Sequence, residues 1–247
     1  RLWLLLRAHG HLYHILAGLL KTIQMELLSI RHLLWLGVTV LFAVGCINMR
    51  RLPLTCRWHK LFKVAVFSLV LVNELCWFGY RHIVADIALV RNLPLHLCDI
   101  SVFVMFVALA TNSRRFAELS YFPGVVGALL AVCLPAISES GAIRTIAEIR
   151  YFVTHIVLVG IGFYLTFGRH YKPPIRAVLR SYGAVHLYAV VITPLNLLLG
   201  TNYFFTLSAP KQIAFIQHYP HWLFVVAVSM TFLILFSLMY LPFVRRT

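Results

Sequence analysis

Residues 221–243 read HWLFVVAVSMTFLILFSLMYLPF and contain no Asp, Glu, Lys or Arg. A helix needs about 20 mostly apolar residues to cross the hydrocarbon core of a bilayer. Because a helix satisfies its backbone hydrogen bonds internally, an apolar run of this length predicts a transmembrane helix.

Six further runs of this kind precede it, at 32–49, 61–79, 95–112, 117–136, 151–168 and 181–199. The chain of 247 residues is 61% hydrophobic and only 12% charged, with a mean hydropathy of +0.87. Soluble domains carry about twice that share of charged residues. We therefore predict an all-α fold, a polytopic membrane helix bundle with seven transmembrane helices.

The first 30 residues form a weaker apolar segment. Arg7, Lys21 and Glu26 interrupt it, which favours an N-terminal helix lying at the membrane interface, with an eighth transmembrane helix as the alternative. Residues 31–247 contain no low-complexity linker or clear repeat, so we predict a single transmembrane helical domain.

The formal net charge is +15, and the basic residues lie mainly in the gaps between apolar runs. Thirteen Lys and Arg residues occupy 50–63, 113–116, 169–180 and 245–246, whereas the alternate gaps hold Arg81, Arg91, Arg144, Arg150 and Lys211. The positive-inside rule then predicts a cytoplasmic C-terminus and places the second set outside, on what we call the Arg-poor side. This arrangement favours membrane lipids as partners, and no nucleic-acid partner is predicted.

Polar side chains gather toward the Arg-poor end of four predicted helices. They are Asn73 and Glu74, then His96, Cys98, Asp99 and Ser101, then Thr154 and His155, and finally Asn196 with Asn202 and Tyr203 just beyond it. Ionisable groups within a membrane are costly unless they face protein or water, so such a layer indicates a functional site.

Cys98 is the residue that suggests a reaction. A thiol attacks an ester as the thiolate, and a neighbouring base must take its proton. His96 points roughly 200° away from Cys98 around a helix, so His155 from another helix is the better base. Asp99 lies one turn beyond His96 on the same face and is predicted to orient its imidazole. The predicted catalytic residues are Cys98, His155, His96 and Asp99.

The remaining polar residues are predicted to bind substrate. Asn73, Glu74 and Asn196 would shape a polar cavity, and Asn202 and Tyr203 would lie at its mouth, with an asparagine amide serving a developing oxyanion. The alternative is structural, because membrane asparagines often bond helices to one another. A structural ion pair of Glu74 with Arg81 is likewise open.

No metal or other cofactor is predicted. The histidines and acids of the Arg-poor side lack a metalloprotease-type spacing, and Pro220 separates His218 from His221. The five cysteines form no CxxC pair, which argues against a zinc ribbon.

Five segments in matching order resemble the YwaF-type family of bacterial membrane proteins. They are LVNELCW, LPLHLC, AELSYFPGVVGALLAVCLP, YFVTHIVLVGIGFYL and NLLLGTNYFF, within residues 35 to 240. The wider family includes a eukaryotic branch with a Pro-x-His opening one helix and a His in a later segment. These features correspond here to Pro94 and His96, and to Tyr151 and His155.

That eukaryotic branch contains a phospholipid acyltransferase thought to use a cysteine directly before the motif His. The resemblance implies fatty-acyl transfer between membrane lipids. In this chain Leu95 precedes the His and the cysteine is Cys98. Positions three apart share one helical face, so the thiol can still point toward the same cavity.

Three hypotheses for function follow. The first is a lipid acyltransferase or acyl hydrolase acting from the outer leaflet of a bacterial cell membrane. The second is a non-catalytic lipid- or small-molecule-binding protein or transporter. The third is a structural subunit of a membrane complex, in which further membrane proteins or a second copy of the chain would be partners.

Overall fold

A computed structural model describes residues 29–85, 87–137, 143–210, 213, 216 and 218–244. All regular secondary structure in these ranges is helical, which confirms the predicted class for the described part of the chain. The helices of 15 residues or more are α1 Ile30–Arg51, α2 Arg57–Val84, α3 Leu97–Thr111, α4 Arg114–Cys133, α5 Ile143–Gly168, α6 Arg176–Leu199 and α7 His221–Phe243. The predictions made for residues 1–28 and for the tail arginines lie outside the described residues.

Six of these helices are long and apolar enough to cross a bilayer, and α3 is not, since it has 15 residues. The described residues thus contain six candidate spans where seven were predicted. The run 95–112 is shortened at both ends: α3 begins after the N-cap His96, and it ends at Asn112, whose left-handed backbone (φ 55°) stops the helix.

Helix α5 begins at Ile143, well before the run predicted at 151–168. The added turns carry charged residues, which a hydropathy pattern assigns to a loop. Glu148 has partners there, because its Oε1 accepts a hydrogen bond from Trp35 Nε1 (3.0 Å) and its Oε2 one from Arg31 (3.1 Å). The same extension places Arg150 on the helix, one turn before Thr154.

Helix α5 lies at the centre of the bundle. Within its most apolar window 78% of the residues are buried, against 17% in α1, α2, α6 and α7. A Cβ at Gly162 would lie 2.2 Å from Val125 Cγ2 on α4, and one at Gly160 would lie 2.3 Å from the Phe42 ring on α1. Small residues permit this close approach of helices, which stabilises association inside a membrane.

The peripheral helices expose large apolar side chains, including Leu41 (73% exposed), Val190 (68%) and Leu198 (83%). A soluble protein rarely presents so much contiguous apolar surface. In a bilayer these side chains contact lipid tails, as expected of an integral membrane protein.

Polar groups also join α6 to α7. Nδ1 of His186 bonds to the Tyr182 carbonyl oxygen (2.8 Å) on α6, and its Nε2 lies 2.8 Å from Ser229 Oγ on α7. The Tyr182 hydroxyl lies 2.5 Å from the same Ser229 oxygen. This group is a hydrogen-bonded tie between two lipid-facing helices.

Candidate functional site

Cys98 and His155 are in direct contact. Cys98 is the second residue of α3, and His155 lies on the central helix α5, with 3.2 Å between Cys98 Sγ and His155 Nε2. The other ring nitrogen, Nδ1, is 2.6 Å from the carbonyl oxygen of Tyr151. Because a carbonyl oxygen only accepts, Nδ1 carries the proton and the Nε2 of a neutral ring is free to accept one from the thiol.

The His155 imidazole is closely packed by its neighbours. His155 is 4% exposed, and the Tyr151 ring packs against it at a tilt of 37°, with 4.2 Å between centroids. The Tyr151 hydroxyl donates to the carbonyl oxygen of Ala131 (3.0 Å), which fixes that ring on α4. Cys98 as a residue is only partly buried.

A network of polar side chains next to this pair connects α2 to α5. Glu74 on α2 forms an ion pair with Arg150 on α5 and accepts a hydrogen bond from Thr154 Oγ1 (2.5 Å). Asn73 Nδ2 donates to Thr154 Oγ1 (2.8 Å) and to the Arg150 carbonyl oxygen (3.3 Å). Asn73 and Glu74 thus contact protein groups, and Glu74 pairs with Arg150 instead of the Arg81 considered from the sequence.

Arg150 connects this network to α3. Its guanidinium lies 4.0 Å from Asp99 Oδ1 and packs over the Trp77 ring, 5.6 Å from the centroid. It also acts electrostatically on Cys98 and His155. Sequence reasoning missed Arg150 because the hydropathy pattern placed it in a gap. Its spacing of four residues before Thr154 was the available signal.

His96 and Asp99 interact differently from the prediction. Asp99 Oδ2 accepts from the backbone N–H of His96 (3.0 Å), an arrangement that caps the first turn of α3. The His96 imidazole instead packs against the rings of Tyr203 (5.3 Å) and Phe205 (5.4 Å). The Asp99 carboxylate therefore stabilises the start of α3 and lies close to the Arg150 guanidinium. The His96 imidazole faces the loop after α6.

Asn196 is a structural residue in this arrangement. It is fully buried, and its Nδ2 donates to the Tyr203 carbonyl oxygen (2.8 Å) and to Thr206 Oγ1 (2.9 Å). Its Oδ1 accepts from Thr201 Oγ1 (2.9 Å) and from the Tyr203 N–H (2.8 Å). Two donors and two acceptors are the full capacity of an amide, so Asn196 holds the 200–206 loop and has none left for a substrate.

Asn202 and Tyr203 are engaged in the same way. Asn202 bonds to Leu207 and Ser208 within its own loop. The Tyr203 hydroxyl donates to the Val90 carbonyl oxygen (2.7 Å) and accepts from the Leu93 N–H (3.0 Å). Burial raises the pKa of Tyr203, so the phenol remains a donor at high pH. These two residues shape the loop, and their predicted role in substrate binding stays a prediction.

The chain matches the model of the TMEM164 family over residues 27–240. This match covers most of the sequence, and the chain therefore belongs to the TMEM164 family, a family of membrane proteins. Neither a curated protein nor a solved structure matches the chain.

Proposed function

We propose that this membrane protein transfers fatty-acyl groups between lipids, with Cys98 as nucleophile and His155 as general base. The 3.2 Å separation of Cys98 Sγ and His155 Nε2, with the other ring nitrogen bonded to a carbonyl oxygen, carries the proposal. A nucleophile in contact with a base, itself oriented by a third group, is the arrangement common to covalent acyl transfer.

The reaction is proposed in two halves. His155 Nε2 takes the thiol proton, the sulfur attacks the ester carbonyl of a donor lipid, and the acyl–oxygen bond breaks. The leaving alcohol takes the proton from Nε2, which leaves a thioester on Cys98. The hydroxyl of an acceptor lipid then gives its proton to Nε2 and attacks the thioester carbonyl. The acyl–sulfur bond breaks, and the leaving sulfur takes that proton back from Nε2, which restores the thiol. Water in place of the acceptor would make the protein a hydrolase.

The groups near the sulfur act on a thiolate in opposite directions. Burial and the Asp99 carboxylate disfavour it, whereas the second position of a helix and the Arg150 guanidinium favour negative charge there. The first N–H that bonds to a backbone oxygen within α3 is that of Ile100, to the His96 carbonyl oxygen (3.1 Å). The N–H groups of the first two helical residues are therefore candidates to bind the oxyanion. Glu74 and Asp99 would hold Arg150 in position.

Sequence resemblance supports the same class of reaction. Membership of the TMEM164 family fits the similarity of Pro94, His96 and His155 to the acyltransferase branch, although Leu95 stands where that branch has its cysteine. The proposal includes three further points. They are a closer resemblance to YwaF-type bacterial proteins, a single domain over 31–247, and a cytoplasmic C-terminus in a bacterial cell membrane.

A helix-bonding role is the second candidate, and one observation favours it. The His186–Ser229 pair has the same hydrogen-bond pattern as the His155–Cys98 pair, including the bond from Nδ1 to a tyrosine carbonyl four residues earlier. Such a pair ties two helices without any chemistry. The two histidines therefore form a matched set in which only His155 is expected to act in a reaction.

The test is acyl exchange between a labelled phospholipid and a lysophospholipid by purified protein in nanodiscs. We expect Cys98→Ser to abolish exchange and His155→Ala to lower it by about 10²–10⁴-fold. His186→Ala and Cys133→Ser are the controls and should keep the wild-type rate. Undiminished exchange by both Cys98→Ser and His155→Ala would overturn the proposal.

A further inference from the structure

A cavity of about 330 Å³ lies next to the start of α3. Arg91, His96 and five residues of the 200–205 loop line it. His96 is the N-cap of the helix whose second residue is Cys98, so the cavity and the thiol lie at the same end of α3. Among the residues that the structure describes, none that lines the cavity is an acid.

The wall formed by the loop is held rigidly. The Asn196 amide uses all its donors and acceptors to bind the loop, and the Tyr203 hydroxyl bonds the loop to Val90 and Leu93. Phe204 and Phe205 both have positive φ, 56° and 54°, a conformation that costs about 1–2 kcal/mol for each such residue. Strained backbone persists where the surrounding structure enforces it, and it occurs preferentially at functional sites.

The charged side chain that lines the cavity is that of Arg91. The Arg91 side chain is exposed and forms no hydrogen bond or ion pair with another described residue, while Arg81 acts electrostatically on His96 and on Tyr203. Basic residues are scarce on the Arg-poor side, yet Arg91 lines this cavity, and both Arg81 and Arg150 act electrostatically on His96. The Asp99 carboxylate acts on Tyr203 in the opposite sense, but it lies 4.0 Å from the Arg150 guanidinium. The cation left without a described partner at this cavity is Arg91, which favours an anionic ligand.

We propose that this cavity binds the phosphate of a glycerophospholipid, with the Arg91 guanidinium as its main partner and His96 at its floor. This inference rests on the proposed acyl transfer and locates the binding site for the phosphate of its lipid substrate. In a glycerophospholipid the phosphate and the acyl esters are a few bonds apart on one glycerol. A phosphate held beside His96 therefore brings an ester toward Cys98, and arginine suits the phosphate because its planar donors bond oxygen pairs.

Lipid binding is the readout, so that it does not depend on catalysis. Cys98→Ser protein is reconstituted with phosphatidylglycerol or with diacylglycerol of the same chains, and the retained lipid is quantified by native mass spectrometry. We expect Arg91→Gln to weaken phosphatidylglycerol retention about tenfold, and Arg81→Gln with Arg91→Gln to weaken it further. Diacylglycerol retention should not change.

Arg57→Gln is the matched control. Arg57 is also exposed, but it lies over the Trp58 ring at the start of α2, whereas Arg81 lies near the end of that helix and Arg91 follows it. It should retain phosphatidylglycerol like the unsubstituted protein. Equal retention by the Arg91 variants, or no preference for phosphatidylglycerol over diacylglycerol, would overturn the proposal. Thermal unfolding of each variant shows that the fold is kept.

A soluble phosphate ester is the other source of the same chemistry, and glycerol 3-phosphate distinguishes it. We expect millimolar glycerol 3-phosphate to leave phosphatidylglycerol bound. Tight, Arg91-dependent binding of glycerol 3-phosphate alone would assign the cavity to a soluble ligand and overturn the lipid assignment. Arg91-dependent lipid retention in a wild-type protein without acyl exchange would instead overturn only the acyltransferase proposal.

Discussion

At the scale of single residues, Gly162 determines how closely α5 approaches α4. An added Cβ would lie 2.2 Å from Val125 Cγ2 and 3.0 Å from the Ser120 carbonyl oxygen. We expect Gly162→Ala to destabilise the protein by about 1–3 kcal/mol, because backbone on α4 must move. The measurement is unfolding in detergent, followed by circular dichroism.

Gly183→Ala on α6 is the control for this substitution, since no atom lies within 4 Å of its added Cβ. It should be neutral, or stabilising by up to about 1 kcal/mol through helix propensity. Equal effects of the two substitutions would contradict the packing described for α5.

Arg150 contributes to stability through an ion pair that is partly removed from solvent. Its ion pair with Glu74 is partly buried, with 20% and 25% of the two side chains exposed. We expect Arg150→Gln and Glu74→Gln each to lower the free energy of unfolding by about 1–3 kcal/mol, because each leaves a poorly hydrated charge without its partner. The double variant should lose less than the sum of the two, and a fully additive cycle would show that the pair is not coupled.

Sequence reasoning at this scale succeeded where depth in the membrane was enough. It placed Cys98 and His155 at one level, and they lie 3.2 Å apart; their catalytic roles stay predictions. It failed where the partner of a polar group had to be known. Hydropathy cannot show that Asn196 is saturated by its own loop or that Glu74 reaches Arg150.

At the scale of elements, the 200–206 loop depends on Asn196. We expect Asn196→Ala to destabilise the protein by about 2–4 kcal/mol, because the buried N–H and carbonyl of Tyr203 lose their partner. The loop should also become more susceptible to proteolysis, a change that gel electrophoresis of the digest detects.

Asn202→Ala is the comparison within the same loop. Its bonds to Ser208 are exposed, so water replaces them and the loss should stay below about 1 kcal/mol. A larger effect at Asn202 than at Asn196 would contradict the assignment of Asn196 as the loop's anchor.

The apolar runs predicted which parts of the chain form helices, but they did not predict the residues at which the helices begin and end. All seven predicted runs overlap a helix, since apolar length is what a bilayer requires. The ends differ where charged residues have partners, as Glu148 and Arg150 have at the start of α5. They also differ where a cap overrides hydropathy, as at both ends of α3.

At the scale of the whole molecule, the asymmetry of basic residues predicts the orientation in the membrane. Single cysteines introduced at Ser208 and Lys172, both exposed, lie in loops at opposite ends of α6. In a cysteine-free background, a membrane-impermeant maleimide should label Ser208→Cys in intact cells and Lys172→Cys only after lysis. The reverse labelling pattern would show the opposite orientation and place Cys98 in the cytoplasmic half of the membrane.

The central claim is that Cys98 carries the acyl group during transfer. The most direct measurement is peptide mass spectrometry of protein quenched at acidic pH after incubation with a phospholipid donor in the absence of acceptor. We predict one acyl group on the peptide that contains Cys98, released by hydroxylamine as expected of a thioester, much reduced in His155→Ala and present in His186→Ala. Acyl exchange at the wild-type rate with no acylated Cys98, or with Cys98→Ser protein, would contradict the account.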